Sequence, residues 1–324
     1  MKKINWGIIG CGDVTEKKSG PAFNKVPNSS LVAVMRRDGA KAADYARRHG
    51  VPRWYADANQ LINDPVVNAI YISTPPSSHE AYSIAAMNAG KSVYVEKPMA
   101  LNYTAAKNMA TMSAAKHIKM VVAHYRREQP FFKKVKQLLD EKAIGDIRFV
   151  KLEFCRSPFS KEDLAIEQNA WRVDPAISGG GIFHDLAPHQ IDLMLYFFGP
   201  VEKVNGIANN QARSYQADDM VAGNILFKNG IAFSGSWCFN AFAYADHCEI
   251  TGSEGKISFS VFNKAIIHLA TKASNTNFTF ELLQHVQQPM IERTVQYFLG
   301  EGPNPCSGEE GAEVMRLMEA FVNR

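Results

Sequence analysis

The segment KSVYVEKPMAL, Lys91 to Leu101, is apolar through Val93, Tyr94 and Val95 and then stops on an acid, a base and a proline: Glu96, Lys97 and Pro98. The apolar residues suit a buried strand. Pro98 has no N–H to donate and biases Lys97 away from helical backbone. A lysine at such a strand end either stands in solvent or serves a polar ligand. As an ammonium it can donate to an oxygen on which negative charge develops. A second constellation lies in HDLAPHQID, where Asp185, His189 and Asp192 stand at i, i+4 and i+7. On a helix they would share one face. Imidazole gives or takes a proton near neutrality, and a neighbouring carboxylate can orient it. His184 is a competing imidazole, and a histidine serving only the core is the plain alternative. Pro188 fits poorly inside a helix, so the regular helix is expected to begin nearer Ala187, with Asp185 in the preceding turn.

A third group opens the chain. GIIGCGDVT places Gly7, Gly10 and Gly12 directly after an apolar run. Gly10 permits a tight turn, and Gly12 lets the backbone approach a pyrophosphate. The helix that follows would offer free N–H groups and the positive end of its dipole. Cys11, Asp13 and Val14 belong to the same turn. Thr15 stands where dinucleotide-binding turns prefer Gly or Ala, so local helix packing is expected to differ. The next apolar run ends VMRRD, with Arg36 and Arg37 where an NAD-binding domain usually carries an acid for the ribose 2′-OH. Guanidinium suits a 2′-phosphate, which an acid would repel. NADP is therefore preferred, with NAD the alternative should Asp38 serve as the acid.

These groups need elements to hold them. Over the first 120 residues strand and helix alternate. Strands are expected at 4–10, 31–36, 69–74, 92–96 and 119–124, with helices at 38–50, 77–90 and 102–117 between them. Such alternation makes a parallel sheet covered by helices. From about residue 145 long strands dominate, at 145–155, 201–212, 218–239, 246–261 and 264–271, with FKNG and GSEGK as hairpin turns. One helical stretch, 179–199, interrupts them, and two more helices are expected at 288–299 and 307–323. The fold class is α/β followed by α+β, divided into a dinucleotide-binding domain at 1–122 and a substrate and oligomerisation domain at 123–324, with the C-terminal helix free to pack back on the first. GNILF and IAFSGSWCF alternate large apolar groups. A bare apolar sheet face is expected from them, covered by a second copy in a homodimer or homotetramer.

Bulk properties narrow the partners. The chain has 324 residues and a net charge of +4, and no Lys/Arg run exceeds two. Nucleic acid and anionic membranes are not expected as partners. Five scattered cysteines, with no CxxC pair and no Cys/His cluster, point to reduced thiols in a cytoplasm and to no metal site. The short apolar run after Lys2 and Lys3 does not make a secretory leader, and no apolar run is long enough to span a bilayer.

With these residues assembled, the chain resembles the glucose-fructose oxidoreductase, inositol dehydrogenase and rhizopine-catabolism (Gfo/Idh/MocA) family nearly end to end. The resemblance is carried by GIIGCGD, by YISTPPSSHEAYSIAAMNAGKSVYVEKPMAL (71–101) and by WRVDPAISGGGIFHDLAPHQIDL (171–193). It implies an N-terminal Rossmann domain, a C-terminal domain on a large, mostly antiparallel sheet, and NAD(P)-dependent oxidoreduction of sugars, inositols or related polyols. It further implies Lys97 beside nicotinamide and substrate, with Glu96 in the same motif. Asp185 and His189 match the family's Asp and His, which favours His189 over His184 as acid/base. Thr74, Pro75 and His79 would line the nicotinamide ribose, although His79 could equally cap the helix it opens. Tyr125, Arg126, Arg156, Trp171 and Arg172 are weaker substrate candidates. His124 and Tyr125 stand where relatives often have Asn. Two other activities occur among relatives of this kind: NAD-assisted glycoside cleavage, and dinucleotide-binding regulation without catalysis.

Overall fold

The computed structural model describes residues 2–322, residues 167 and 168 by backbone alone. The chain divides into two compact units: residues up to 129 together with 283–315, and residues 130–282 together with those from 316 on.

The first unit is built on six strands: β1 (Ile4–Ile9), β2 (Ser29–Met35), β3 (Arg53–Tyr55), β4 (Ala69–Ile72), β5 (Ser92–Val95) and β6 (Met120–Val122). Their order is β3-β2-β1-β4-β5-β6, and every pair is parallel. β4 and β6 are buried at every residue and β5 at all but its first, as expected of a parallel sheet covered on both faces. The intervening helices are α1 (Asp13–Lys17), α2 (Gly39–His49), α3 (Ala58–Ile62), α4 (His79–Asn88) and α5 (Tyr103–Ala115). Their ends follow local chemistry. The Asp38 carboxylate accepts from Lys41 N–H to start α2, and Gly50 ends it with φ +65°. Asn102 caps α5 through Ala105 N–H. The strand order reverses between β1 and β4, the switch point at which ligands bind outside the strand carboxyl ends. The later helix Gln288–Leu299 belongs to this unit and seats Phe298 on Trp6, ring centroids 5.6 Å apart. Burial of Trp6, Phe23, Tyr71 and Tyr94 beside it explains why a segment so distant in sequence completes this core.

The second unit begins with α6 (Pro130–Asp140) and β7 (Ile147–Cys155). Three short helices follow, α7 (Lys161–Ala165), α8 (Glu167–Val173) and α9 (Pro175–Ser178), and then the long α10 (Gly181–Phe198). The remaining strands are β8 (Val201–Asn209), β9 (Met220–Phe227), β10 (Ala232–Cys238), β11 (Ala245–Gly252), β12 (Gly255–Phe259), β13 (Ile266–Thr271) and β14 (Asn275–Thr279). They form an eight-stranded sheet in the order β14-β13-β12-β11-β7-β10-β9-β8, antiparallel except where β7 meets β10. β14 and β3 escape the hydrophobic pattern because NTNFT is mostly polar and RWY is three residues long.

The expected bare apolar face is corrected by this sheet. Along β10 the buried residues are Phe233, Gly235 and Trp237, whereas Ala232, Ser234 and Ser236 face out; β9 likewise turns Val221, Ile225 and Phe227 inward and Asn224 outward. The large groups are already covered. Phe183 of α10 and Phe321 of the helix Gly308–Val322 lie against Trp237, at 5.2 and 5.7 Å. Phe198 meets Phe227 at 5.4 Å. Truncating rings buried this completely costs about 3–5 kcal/mol each. On the outward face Asn224, Ser234 and Ser236 are polar and a Lys256–Glu249 pair forms, while Ile207 of β8 stands 66% exposed.

The helix start is corrected as well. α10 runs through Pro188 and already includes Asp185. Pro188 costs a helical hydrogen bond, but nearly the whole helix is buried, including Ile182, Phe183, Ala187, Ile191 and Leu193, and that packing outweighs the local penalty. No helix among the described residues is long and apolar enough to cross a membrane.

Candidate functional site

In the first unit, β1 delivers the glycine turn to the switch point. Gly10 has φ +94°, and a Cβ there would lie 2.8 Å from Thr74 Cγ2 and 2.9 Å from Thr74 N, so both conformation and space require glycine. Gly10 and Cys11 N–H groups donate to Met35 O at the end of β2, at 2.9 and 3.1 Å, and Ser73 Oγ donates to Gly10 O at 3.0 Å. Around Gly12 the nearest atom to an added Cβ is Gly10 O at 3.9 Å, so its backbone faces open space. Gly12 is the N-cap of α1, and Asp13 and Val14 form its first turn. Gly7 is a packing glycine: an added Cβ would meet Leu61 Cδ2 at 2.6 Å. Thr15 is fully buried; its hydroxyl donates to Gly12 O at 2.7 Å, and its backbone carbonyl accepts from Tyr45 OH at 2.8 Å. The hydroxyl thus finds an acceptor in Gly12 O where glycine or alanine would need none. Burial pushes the Cys11 thiol up to about 11, against the nearby Arg36 guanidinium, which favours the thiolate. Arg36 directly follows β2 and is half-buried, Arg37 is exposed, and Asp38 is engaged in capping α2. An open backbone turn with a guanidinium near it fits a dinucleotide.

The neighbouring strand ends carry the rest of this unit's candidates. Thr74 and Pro75 follow β4 and are half-buried. His79 is fully buried, with Nε2 2.7 Å from Thr74 O and Nδ1 3.0 Å from Pro98 O. The two carbonyls favour the imidazolium, but burial outweighs them and holds the ring below its ordinary pKa. His79 thus ties the turn after β4 to the turn after β5. Glu96 is 6% exposed and accepts from Tyr71 OH and from Gln287 Nε2, each at 2.5 Å, while Tyr94 OH donates to Gln287 Oε1 at 3.1 Å. Burial, then the Glu96 charge, raises the Tyr71 phenol well above its usual range. Lys97 is half-buried, its N–H donates to Glu96 Oε2 at 3.2 Å, and the Lys97–Pro98 bond is cis. The acid of Glu-Lys-Pro is therefore a buried anchor for the backbone that presents the lysine. Gln287 was not legible beforehand, since nothing local marks a glutamine 191 residues away as a partner of Glu96. Tyr125 is 7% exposed in the turn after β6, and the Arg126 guanidinium lies 5.6 Å from its ring centroid.

In the second unit, α10 places Asp185, His189 and Asp192 on one face, with Asp185 half-buried, His189 4% exposed and Asp192 1% exposed. The glycines before it are steric. A Cβ on Gly181, at φ +75°, would strike Ala217 Cβ at 2.4 Å, and Ser178 Oγ accepts from Gly181 N–H at 2.9 Å to hold the helix start. Arg172 Nε donates to Asp185 Oδ2 at 3.1 Å, and its guanidinium lies 4.7 Å from the Trp171 ring centroid, so these three residues are brought together. His184 faces the interior, and burial lowers it to about 4, which keeps it neutral at ordinary pH. Arg156 directly follows β7, its guanidinium 4.4 Å from the Phe159 ring centroid. Phe262, from the β12–β13 connection, stands 5.7 Å from the His189 ring at 73°; no sequence motif pointed to it. No group of His, Cys, Asp and Glu able to hold a metal occurs among the described residues.

Comparison with known proteins identifies the family. Residues 4–124 match the oxidoreductase family NAD-binding Rossmann fold, and residues 132–258 match the GFO/IDH/MocA C-terminal domain. An oxidoreductase of Formosa agariphila is 48% identical over 320 residues, 98% of each chain. A levoglucosan dehydrogenase of Pseudarthrobacter phenanthrenivorans is 28% identical, over 80% of this chain and 74% of its own. A trans-1,2-dihydrobenzene-1,2-diol dehydrogenase of Oryctolagus cuniculus is 29% identical, over 69% and 65%. Among solved structures, a levoglucosan dehydrogenase in complex with NADH and levoglucosan superposes with a TM-score of 0.86 at 23% identity, over 98% of this chain and 96% of that one, a likeness of fold. The chain belongs to the Gfo/Idh/MocA family of NAD(P)-dependent oxidoreductases.

Proposed function

We propose that this family member interconverts a carbinol and a carbonyl on a sugar, inositol or related polyol and prefers NADP over NAD. The observation that carries the reading lies in the first unit. The open Gly10–Gly12 turn and the Glu96–Lys97 strand end stand on the same carboxyl edge of one parallel sheet, with Arg36 near the turn. The names of the relatives, levoglucosan and dihydrodiol dehydrogenases, support a CH–OH substrate carrying neighbouring oxygens. Bound at that edge, the nicotinamide would supply or accept the hydride. Lys97 donates to the substrate oxygen as its charge grows. His189 gives or takes the carbinol proton, and Asp185, itself held by Arg172, orients the imidazole. Arg36 and Arg37 offer charge-assisted hydrogen bonds to a 2′-phosphate. We further propose a homodimer or homotetramer through the second unit's sheet, where Ile207 of the outward face is 66% exposed, and a cytoplasmic setting consistent with five free thiols. The test is a panel of sugars, inositols and polyols with their keto forms, read by NADPH and NADH absorbance. Turnover of at least one member with cofactor exchange is expected. Retained cofactor and no absorbance change across the panel would overturn the reading in favour of glycoside cleavage or regulation. Light scattering at micromolar concentration tests the assembly, and a monomer would refute it.

A further inference from the structure

The β12–β13 connection is held by a single carboxylate. Asp246, near the start of β11, accepts from three successive backbone N–H groups. Val261 donates to Oδ1 at 3.0 Å, and Phe262 and Asn263 donate to Oδ2 at 2.7 and 3.1 Å. Ser260 Oγ donates to the Asp246 carbonyl oxygen at 2.8 Å. Four consecutive residues are thus gathered on one aspartate. A carboxylate accepts such bonds about twice as strongly as a neutral oxygen, so the loop has little freedom. What the loop carries is the Phe262 ring, seated on Phe154 at 5.2 Å and standing across His189 at 5.7 Å. Phe154 in turn meets Tyr244, half exposed, at 5.9 Å. Phe262 itself is half-buried. An aromatic ring clamped in this way, partly open and beside an acid/base imidazole, offers an apolar surface next to the atom that handles the proton. Sugar and inositol rings have just such a complement: a face of C–H groups that packs on an aromatic face while the hydroxyls point away.

We propose that Asp246 is a positioning residue that sets Phe262 against His189, and that the Phe262 ring is a specificity wall accepting the C–H face of a cyclic sugar or polyol over an open-chain one. The proposal rests on His189 as the acid/base group. Its placement half is read in the full-length protein without any substrate. The His189 imidazole signals, identified among nine histidines by their loss in His189→Gln, carry the ring-current shift of Phe262. Phe262→Leu should abolish that shift, Asp246→Ala should reduce it strongly, and Asp246→Asn, which keeps one accepting oxygen, should fall between. Unchanged His189 signals in Asp246→Ala, with the shift lost in Phe262→Leu, would overturn the positioning role. The wall is read by saturation-transfer contacts of D-glucose, myo-inositol and levoglucosan with the cofactor-loaded protein, against glycerol and sorbitol. Contacts to at least one cyclic probe, weakened about tenfold in Phe262→Leu with KM rising and kcat little changed, are expected. No cyclic contact, or equal contact in the variant, would overturn the wall. Full turnover in His189→Gln would instead remove the premise, an outcome separate from either failure.

Discussion

The two units hold their candidate charged groups by opposite means. In the first, the Gly10 turn and Lys97 sit at the ends of buried parallel strands, placed largely by chemistry within a few residues: φ +94° at Gly10 and Lys97 N–H donating to Glu96. In the second, Asp185 and His189 sit in the middle of a long helix, and their surroundings come from remote segments: Arg172, Phe262 and Ala217 against Gly181. Strand ends in an α/β sheet are where backbone irregularity is tolerated without breaking a ladder, so function there is written locally. A helix interior has no such freedom and acquires function only from what packs on it.

The sharpest way to break that contrast is to remove one charged group from each unit. Lys97→Met and His189→Ala are each expected to lower kcat by about 10²–10⁴, with cofactor affinity and melting temperature nearly unchanged in Lys97→Met. If both groups serve one proton path, the double variant should lose less than the product of the two. A folded, cofactor-binding Lys97→Met with turnover within a few-fold of the parent would show that local presentation at a strand end had been misread as function.

Acid titration separates the units next. His184 is buried and its pKa lies at about 4, below its ordinary 6.5, so the unfolded chain takes up the proton first as pH falls. Stability should therefore drop from pH 6.5 down to about 4 and then level, by roughly 3 kcal/mol in total for this group. His184→Gln should flatten that part of the denaturation profile, and a profile unchanged by the substitution would contradict its burial.

Cofactor choice follows in size. Losing charge-assisted bonds to a 2′-phosphate costs about 1.5–3 kcal/mol, so Arg36→Ala with Arg37→Ala should erode the NADPH preference by at least roughly tenfold, measured by fluorescence titration of both cofactors. Equal affinities in the parent would refute the preference. The smallest effect is expected at Glu16, which Arg48, and then His49, hold down at about 2. Its contribution is complete above its ordinary 4.5 and disappears as pH falls towards 2. Because the pair is partly exposed, with side chains 41% and 32% accessible, screening limits it to less than about 1 kcal/mol. Glu16→Gln should cost that little at pH 7 and nothing at pH 2, in contrast to the buried histidine.

Period and punctuation were enough to read most of the alternating strands and helices of the first 120 residues, the glycine turn and the two classes of sheet. Each depends on interactions spanning a few residues, which leave their mark in neighbouring letters. The same local rules misplaced the start of α10, because the cost of Pro188 is local while its compensation, burial around the whole helix, is not. They also misjudged the outer face of the second sheet: alternation in IAFSGSWCF shows that one side is apolar, but not that α10 and Phe321 already cover it. Gln287 at Glu96, Arg172 at Asp185 and Phe262 at His189 were decided by tertiary structure alone. Such partners are chosen by where remote segments come to rest, and the chain carries no short-range energetic signature of a contact 191 residues away.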